Sequence, residues 1–236
     1  MNLFKRIEGV FFNPRPVFDG LAAKPAWVDT LVVVLVALIA FNLVVAPYMQ
    51  KDQLQLMKDN SVLKERVGAE RYDQMIQNME NPSARSRIIQ TFVTTPLFYL
   101  IALLLQALIL LILSRFITSS QGTYAQVLSV LLHASLVDKL FGNAVRMVLA
   151  LTRRSLMQTS TSLALLFPKM EVTSTSYIML SQIDFFQIWV FGILAFGLAA
   201  VFKIELKKAL FLSYGVWFLK ALVNVGIAMI GMSFLR

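Results

Sequence analysis

Five long apolar stretches, separated by polar and charged segments, set the pattern of this chain. A bilayer core about 30 Å thick takes roughly 20 mostly apolar helical residues to cross, and each stretch reaches that length. The first, 27–49, centres on LVVVLVALIAF and includes Asn42; the second, 92–117, contains LFYLIALLLQALILLIL, broken only by Gln106. The fourth and fifth cover 183–202 and 209–234. The third, 125–151, carries His133, Asp138, Lys139, Asn143 and Arg146 in a Leu/Val/Ala-rich background. On a helical wheel Ser135, Lys139, Gly142, Asn143, Arg146, Ala150 and Arg153 share one stripe, opposite Leu, Val and Met. Two readings fit: a helix inside a bundle with its polar stripe inward, or an interfacial helix lying flat. We take the first. The fold class is then all-α, a polytopic membrane helical bundle with five transmembrane helices.

The remaining segments are short. Residues 1–26 form an amphipathic N-terminal segment, with Leu3, Phe4, Ile7, Val10 and Phe11 on one side of a helix. That side fits an anionic leaflet or packs on the bundle. Asn13-Pro14-Arg15-Pro16 interrupts the helix and turns the chain toward the first span. In the loop 50–90, Leu54, Met57, Val62, Val67, Tyr72, Met75, Ile76 and Met79 recur at helical spacing. This predicts one or two helices ending near Asn81-Pro82, whose Met-rich face packs back on the protein, on a second copy or on a partner. TSTSLALLFP, 159–168, is too short to span and reads as a re-entrant or interfacial piece. The first apolar run begins only at Trp27 and is longer than a signal-peptide core, so it reads as an uncleaved span.

Composition agrees. Of 236 residues 58% are hydrophobic and 15% charged, against roughly 45–50% and about 25% in average globular domains. The absence of Cys excludes disulfides, thiol catalysis and thiolate metal sites, and a lone His argues against zinc or iron. A net charge of +9 points to membrane topology and not to nucleic acid. With the N-terminus inside, the inner segments carry Lys5, Arg6, Arg15, Lys24, Arg115, Lys203, Lys207 and Lys208 against Glu8, Asp19 and Glu205. Arg85, Arg87, Arg153 and Arg154 weigh the other way.

No GxSxG, P-loop, HExxH or GxGxxG motif is present, so no catalytic residue, cofactor site or metal site is expected. The chemistry rests on ionisable groups within the spans, which are costly in a bilayer and functional candidates by default. These are Asp138, Lys139, Arg146, Asp184 and Lys220. Their depths permit an Asp138–Lys220 pair and an Arg146–Asp184 pair, with Lys139 left to Asn42, Gln106, Asn224 or water. Either they line a polar pathway or they are neutralised pairs that fix helix register. Gly192, Ala195 and Ala199 form a small-residue side of span four that admits another helix closely. Trp27, Asp29, Trp189 and Trp217 read as interfacial anchors or packing residues.

FFNPRPVFDGLAAKPAW before span one, GTYAQVLSVLLHASL opening span three, TSLALLFP after it and IDFFQIWVFGILAFGLAAVFKI through span four stand in order along the chain. In these segments, and from about Asn13 to Ala228, it resembles the bacterial branch of the Yip1-domain (YIP1 family) integral membrane proteins. The resemblance implies a five-span bundle with a cytoplasmic N-terminus. Eukaryotic relatives act in vesicle traffic between endoplasmic reticulum and Golgi, contact Rab-type GTPases and associate with one another. Their DLYGP-like motif is not found in this sequence. The resemblance maps signature residues onto Gly122, Tyr124, Asp184, Phe185, Phe186, Trp189 and Gly197, a signature of fold and not of an active site.

Two functions follow as expectations. The first is a non-enzymatic scaffold or accessory subunit in membrane organisation or trafficking, sited in the bacterial cytoplasmic (inner) membrane with its C-terminus outside. Its partners are the lipid bilayer and, through the spans or the 50–90 loop, itself or another membrane protein. The second is a small transporter, channel or lipid-handling protein using the polar residues of spans three to five.

Overall fold

A computed structural model describes residues 1–59, 61–118, 121–156 and 161–233. It is all-helical apart from turns and one isolated β-bridge among the described residues. The helices are α1 (Leu3–Phe12), α2 (Pro14–Ala23), α3 (Val28–Lys58), α4 (Ser61–Val67), α5 (Ala69–Glu80) and α6 (Ala84–Ile89). They continue as α7 (Thr95–Ile117), α8 (Tyr124–Leu136), α9 (Asn143–Arg153), α10 (Thr175–Ser181), α11 (Phe185–Phe202) and α12 (Leu206–Ser233). A π-helical turn, Gln90–Thr94, joins α6 to α7, and another, Val137–Gly142, joins α8 to α9. Five of these helical stretches are long and apolar enough to cross a membrane: Val28–Lys58, Ala84–Ile117, Tyr124–Arg153, Phe185–Phe202 and Leu206–Gly231.

Several elements differ from the sequence reading. Asn13-Pro14-Arg15-Pro16 starts a second helix, because a proline at the first helical position lacks a donor that no helix would use there. Asn13 ends α1 and precedes α2 in a single residue. Helix α3 does not stop near Met49. Pro47 removes one backbone donor without ending it, as transmembrane helices permit. At 1.5 Å per residue α3 is about 45 Å long, so its polar end, Gln50–Lys58, runs past an apolar core about 30 Å thick. The second span likewise begins in α6. In the segment 159–168, residues 161–168 hold only a single 3₁₀ turn, Leu163–Leu166; 159 and 160 lie outside the described residues, as does the end of the fifth stretch at Phe234.

The chain divides into two compact units. Unit 1 comprises Met1–Leu38, Pro96–Ala144 and Phe185–Lys220. Its centre is α8, buried without a break from Val127 to Leu136. Helix α2 packs against α8 and α11, burying Val17, Phe18 and Leu21, while α1 buries Val10 and Arg6. The N-terminal segment is thus part of the core, with Phe4 and Phe12 left facing outward. Gly197 sets the α8–α11 separation: a Cβ there would lie 2.6 Å from Val130 Cβ and 3.1 Å from Phe18 Cδ1. Gly122 plays the same part before α8, where a Cβ would meet Phe202 and Val201 at 2.7 Å.

Unit 2 comprises Ile39–Thr95, Val145–Asp184 and Ala221–Arg236. Helices α4 and α5 fold back on the end of α3. The Tyr72 hydroxyl donates to Met57 O at 3.0 Å, Gln50 Nε2 donates to Met79 O at 2.6 Å, and Lys58 pairs with Glu80 at 2.6 Å. Met75 remains exposed.

The most apolar window of span three is 72% buried in protein, whereas those of α3 and α12 are each 17% buried. These two helices therefore present most of their surface, including Val28, Val32, Val36, Phe211, Phe218 and Leu222, to lipid.

Candidate functional site

Helix α8 opens with a capping box. Gln126 N donates to Thr123 Oγ1 at 3.3 Å and Thr123 N donates to Gln126 Oε1 at 2.8 Å. From there inward, the polar side chains of α8 find partners on α2, the segment after it and the start of α3. Gln126 Nε2 donates to Ala22 O at 2.6 Å, and Ala26 N donates to Ser129 Oγ at 3.2 Å. His133 lies 3.0 Å from Thr30 Oγ1 through Nε2 and 2.8 Å from Ser129 O through Nδ1. A carbonyl only accepts, so Nδ1 carries the proton and Nε2 accepts from the Thr30 hydroxyl. Asp29 in turn accepts from Thr30 N at 2.8 Å and pairs with Arg6 of α1. Thr30 and His133 have the spacing of a nucleophile and its base, but neither exposes any surface. Thr30 carried no signal in the sequence; Asp29 is an ion-pair partner, not merely an anchor.

The π-helical turn follows directly. Its wider turn reduces the angular step between residues, so neighbours that an α-helix would point apart can meet. Lys139 Nζ donates to Asp138 Oδ2 at 2.8 Å, with Asp138 almost wholly buried. The ammonium lies 5.4 Å from the centre of the Tyr99 ring, whose hydroxyl is 3.4 Å from Ser135 Oγ. Depth alone gave Asp138 to Lys220; here Asp138 holds its own chain neighbour.

Lys220 is exposed, contrary to the expectation that it is buried. The reason is the position of α12, which keeps most of its surface outward. Its Nζ donates to Gln187 Oε1 at 2.9 Å and sits 5.8 Å from the Phe191 ring centre. Deeper in the same helix pair, Ser213 Oγ donates to Phe191 O at 2.6 Å and the Tyr214 hydroxyl to Ile188 O at 3.1 Å. Gly192 admits Tyr214: a Cβ there would be 3.0 Å from its hydroxyl oxygen. Part of the small-residue side of span four is thus taken up within unit 1.

Arg146, Thr161 and Asp184 form a second cluster, within unit 2. Arg146 NH2 donates to both Asp184 oxygens, at 3.2 and 3.3 Å, and Arg146 Nε donates to Thr161 Oγ1 at 3.2 Å. Thr161 passes its own proton to Asp184 Oδ2 at 2.5 Å. Bridge pairing of Ser162 with Asp184, and Leu163 N donating to Ile183 O at 3.0 Å, hold the two segments together. Asp52, in the polar end of α3, is buried and accepts from Ser155 Oγ at 3.0 Å and Leu156 N at 2.6 Å.

The aromatic residues leading into span four also have partners. Phe186 and Trp189 each meet Phe141 edge-on, at 5.9 and 6.2 Å, Phe185 meets both, and Trp189 reaches Phe11 at 6.1 Å. Tyr124 donates to Leu104 O at 3.1 Å. The family model of the Yip1 domain matches residues 9–228. The chain belongs to the Yip1 domain family. No curated protein and no solved structure matches it. For this Yip1 domain protein the signature positions read as packing requirements: Gly122 and Gly197 allow close approach, Asp184 holds Arg146, and the aromatics interlock. It is an integral membrane protein in contact with the bilayer through its five apolar helices.

Proposed function

We propose that this Yip1 domain protein is a non-enzymatic scaffold or accessory subunit in membrane organisation or trafficking. It works through contacts between membrane helices, with itself or another membrane protein, and takes no nucleic acid. It resides in the bacterial cytoplasmic membrane, N-terminus inside and C-terminus outside. The observation that carries this reading is Lys220, an exposed cation in the middle of the α12 stretch Leu206–Gly231. A cation facing hydrocarbon at that depth costs several kcal/mol. Gln187 and Phe191 answer it from one side; a partner helix packed over α12 shields the exposed side from hydrocarbon, and Phe218 and Leu222 beside it give the partner an apolar surface.

A photo-crosslinking residue at position 218 or 222 of the full-length protein in membranes tests the reading. It is expected to capture a second copy or another membrane protein, and Lys220→Leu to abolish that capture. Adducts with lipid alone overturn it.

A second reading, a small transporter, channel or lipid-handling protein, draws support from the π-helical turn at Asp138–Lys139, since such turns are frequent at functional sites. It requires Asp138→Asn to abolish movement of a solute while leaving the protein folded.

A further inference from the structure

At one end of unit 1 a cavity of about 400 Å³ opens between α2 and the turn from α11 into α12. Arg15 and Asp19 line it from α2; Phe196, Ala199 and Ala200 line it from α11, and Ile204, Glu205 and Leu206 from the turn. The size falls within the range of small-ligand sites. The sequence explains the space: two adjacent alanines leave α11 without bulk where α2 passes.

The turn itself is held in an uncommon conformation. Lys203 has φ of 51°, the left-handed region where glycine is the usual residue. Ile204 N then donates back to Ala199 O at 3.2 Å, closing the helix and setting Glu205 at the cavity.

The charges are arranged unusually. Arg15 and Asp19 stand one turn apart on α2, a spacing at which opposite charges commonly pair. Among the described residues, neither they nor Glu205 make a side-chain hydrogen bond or ion pair. One guanidinium and two carboxylates therefore share a cavity with the apolar side chains of Phe196, Ile204 and Leu206. It lies where span four ends at Phe202, beside Lys203, Lys207 and Lys208, the level at which lipid headgroups meet a protein.

We propose that this cavity binds the headgroup of a phospholipid carrying both a phosphate and a primary amine, of the phosphatidylethanolamine type. Arg15 takes the phosphate through its fork of N–H donors. Asp19 and Glu205 accept the N–H bonds of the ammonium, and Phe196, Ile204 and Leu206 line the way for the acyl chains. Lys203, Lys207 and Lys208 do not line the cavity, so inside it an anionic head lacking an amine would meet two carboxylates against one arginine. A quaternary choline has no N–H to give them. The inference is independent of any partner at Lys220, which lies elsewhere on unit 1.

The test is native mass spectrometry of the full-length protein in detergent, titrated separately with dioleoyl phosphatidylethanolamine, phosphatidylcholine and phosphatidylglycerol. The ethanolamine lipid is expected to bind at least about ten-fold more tightly than either other lipid, about 1.4 kcal/mol. Arg15→Gln is expected to weaken it about ten-fold. Asp19→Asn with Glu205→Gln is expected to abolish the preference over phosphatidylcholine and to raise phosphatidylglycerol binding. All these positions are exposed, so both variants are expected to keep the parent's melting temperature. Equal binding of the three lipids, or a preference unchanged in both variants, overturns the proposal. Binding of soluble glycerophosphoethanolamine as tightly as the lipid overturns the lipid assignment.

Discussion

Thr30 and His133 lie 103 residues apart and meet at 3.0 Å, both with no exposed surface. The hydroxyl donates its hydrogen bond to Nε2, and the single ring N–H, on Nδ1, donates to Ser129 O at 2.8 Å. This contact ties the start of span one to the centre of span three. Removing the Thr30 hydroxyl leaves the buried Nε2 acceptor unsatisfied, at a cost of about 1–3 kcal/mol.

Thr30→Val is therefore expected to lower unfolding stability in detergent by that amount. Combining it with His133→Leu is expected to cost less than the sum of the two single changes, because nothing polar is then left alone. Strict additivity in the double-mutant cycle counts against the contact.

Gly197→Ala places a methyl group 2.6 Å from Val130 Cβ, where neither helix can yield through a flexible side chain. We expect a loss of about 1–3 kcal/mol, largely recovered by adding Val130→Ala. Gly20→Ala on α2 is the control. Nothing lies within 4 Å of its Cβ, so the change is expected to be neutral or to stabilise by up to about 1 kcal/mol. Melting curves of the three variants check both expectations.

Arg146 and Asp184 expose 18% and 13% of their side chains, so solvent screens their pairing little. Asp184→Asn or Arg146→Gln alone is expected to cost about 3–5 kcal/mol and to lower the yield of folded protein. Arg146→Met together with Asp184→Asn is expected to restore most of it. Thr161→Val, which removes a relay and not a charge, is expected to cost less than either single change at the pair. Size-exclusion profiles and unfolding curves report all four.

The number and helical nature of the spans were legible because a bilayer demands long apolar runs, and those are local features. The Arg146–Asp184 contact was legible from depth, since one ends span three and the other precedes span four. What could not be read came from contacts distant in sequence. Thr30 looks like any threonine at a helix start until His133 is brought to it. Phe18 and Leu21 follow two prolines that signal a break, yet they fill the core beside Gly197. Lys139 turned to Asp138 because a π-helical turn falls there, and no residue pattern announces such a turn. Lys220 looked interior by its depth, but depth does not say which way a side chain faces.

The polar groups of span three are closed on partners within the protein, from Thr30 to Asp184, and line no water-filled route. The chain has no Cys, so single cysteines at positions 135, 138, 142 and 143 can be probed with a membrane-impermeant maleimide from each side. All four positions are buried, and all four are expected to stay unlabelled from both faces, while a cysteine at exposed position 75 reacts. Labelling at position 138 or 142 from either face would contradict the account and put a solute pathway through the Asp138–Lys139 pair.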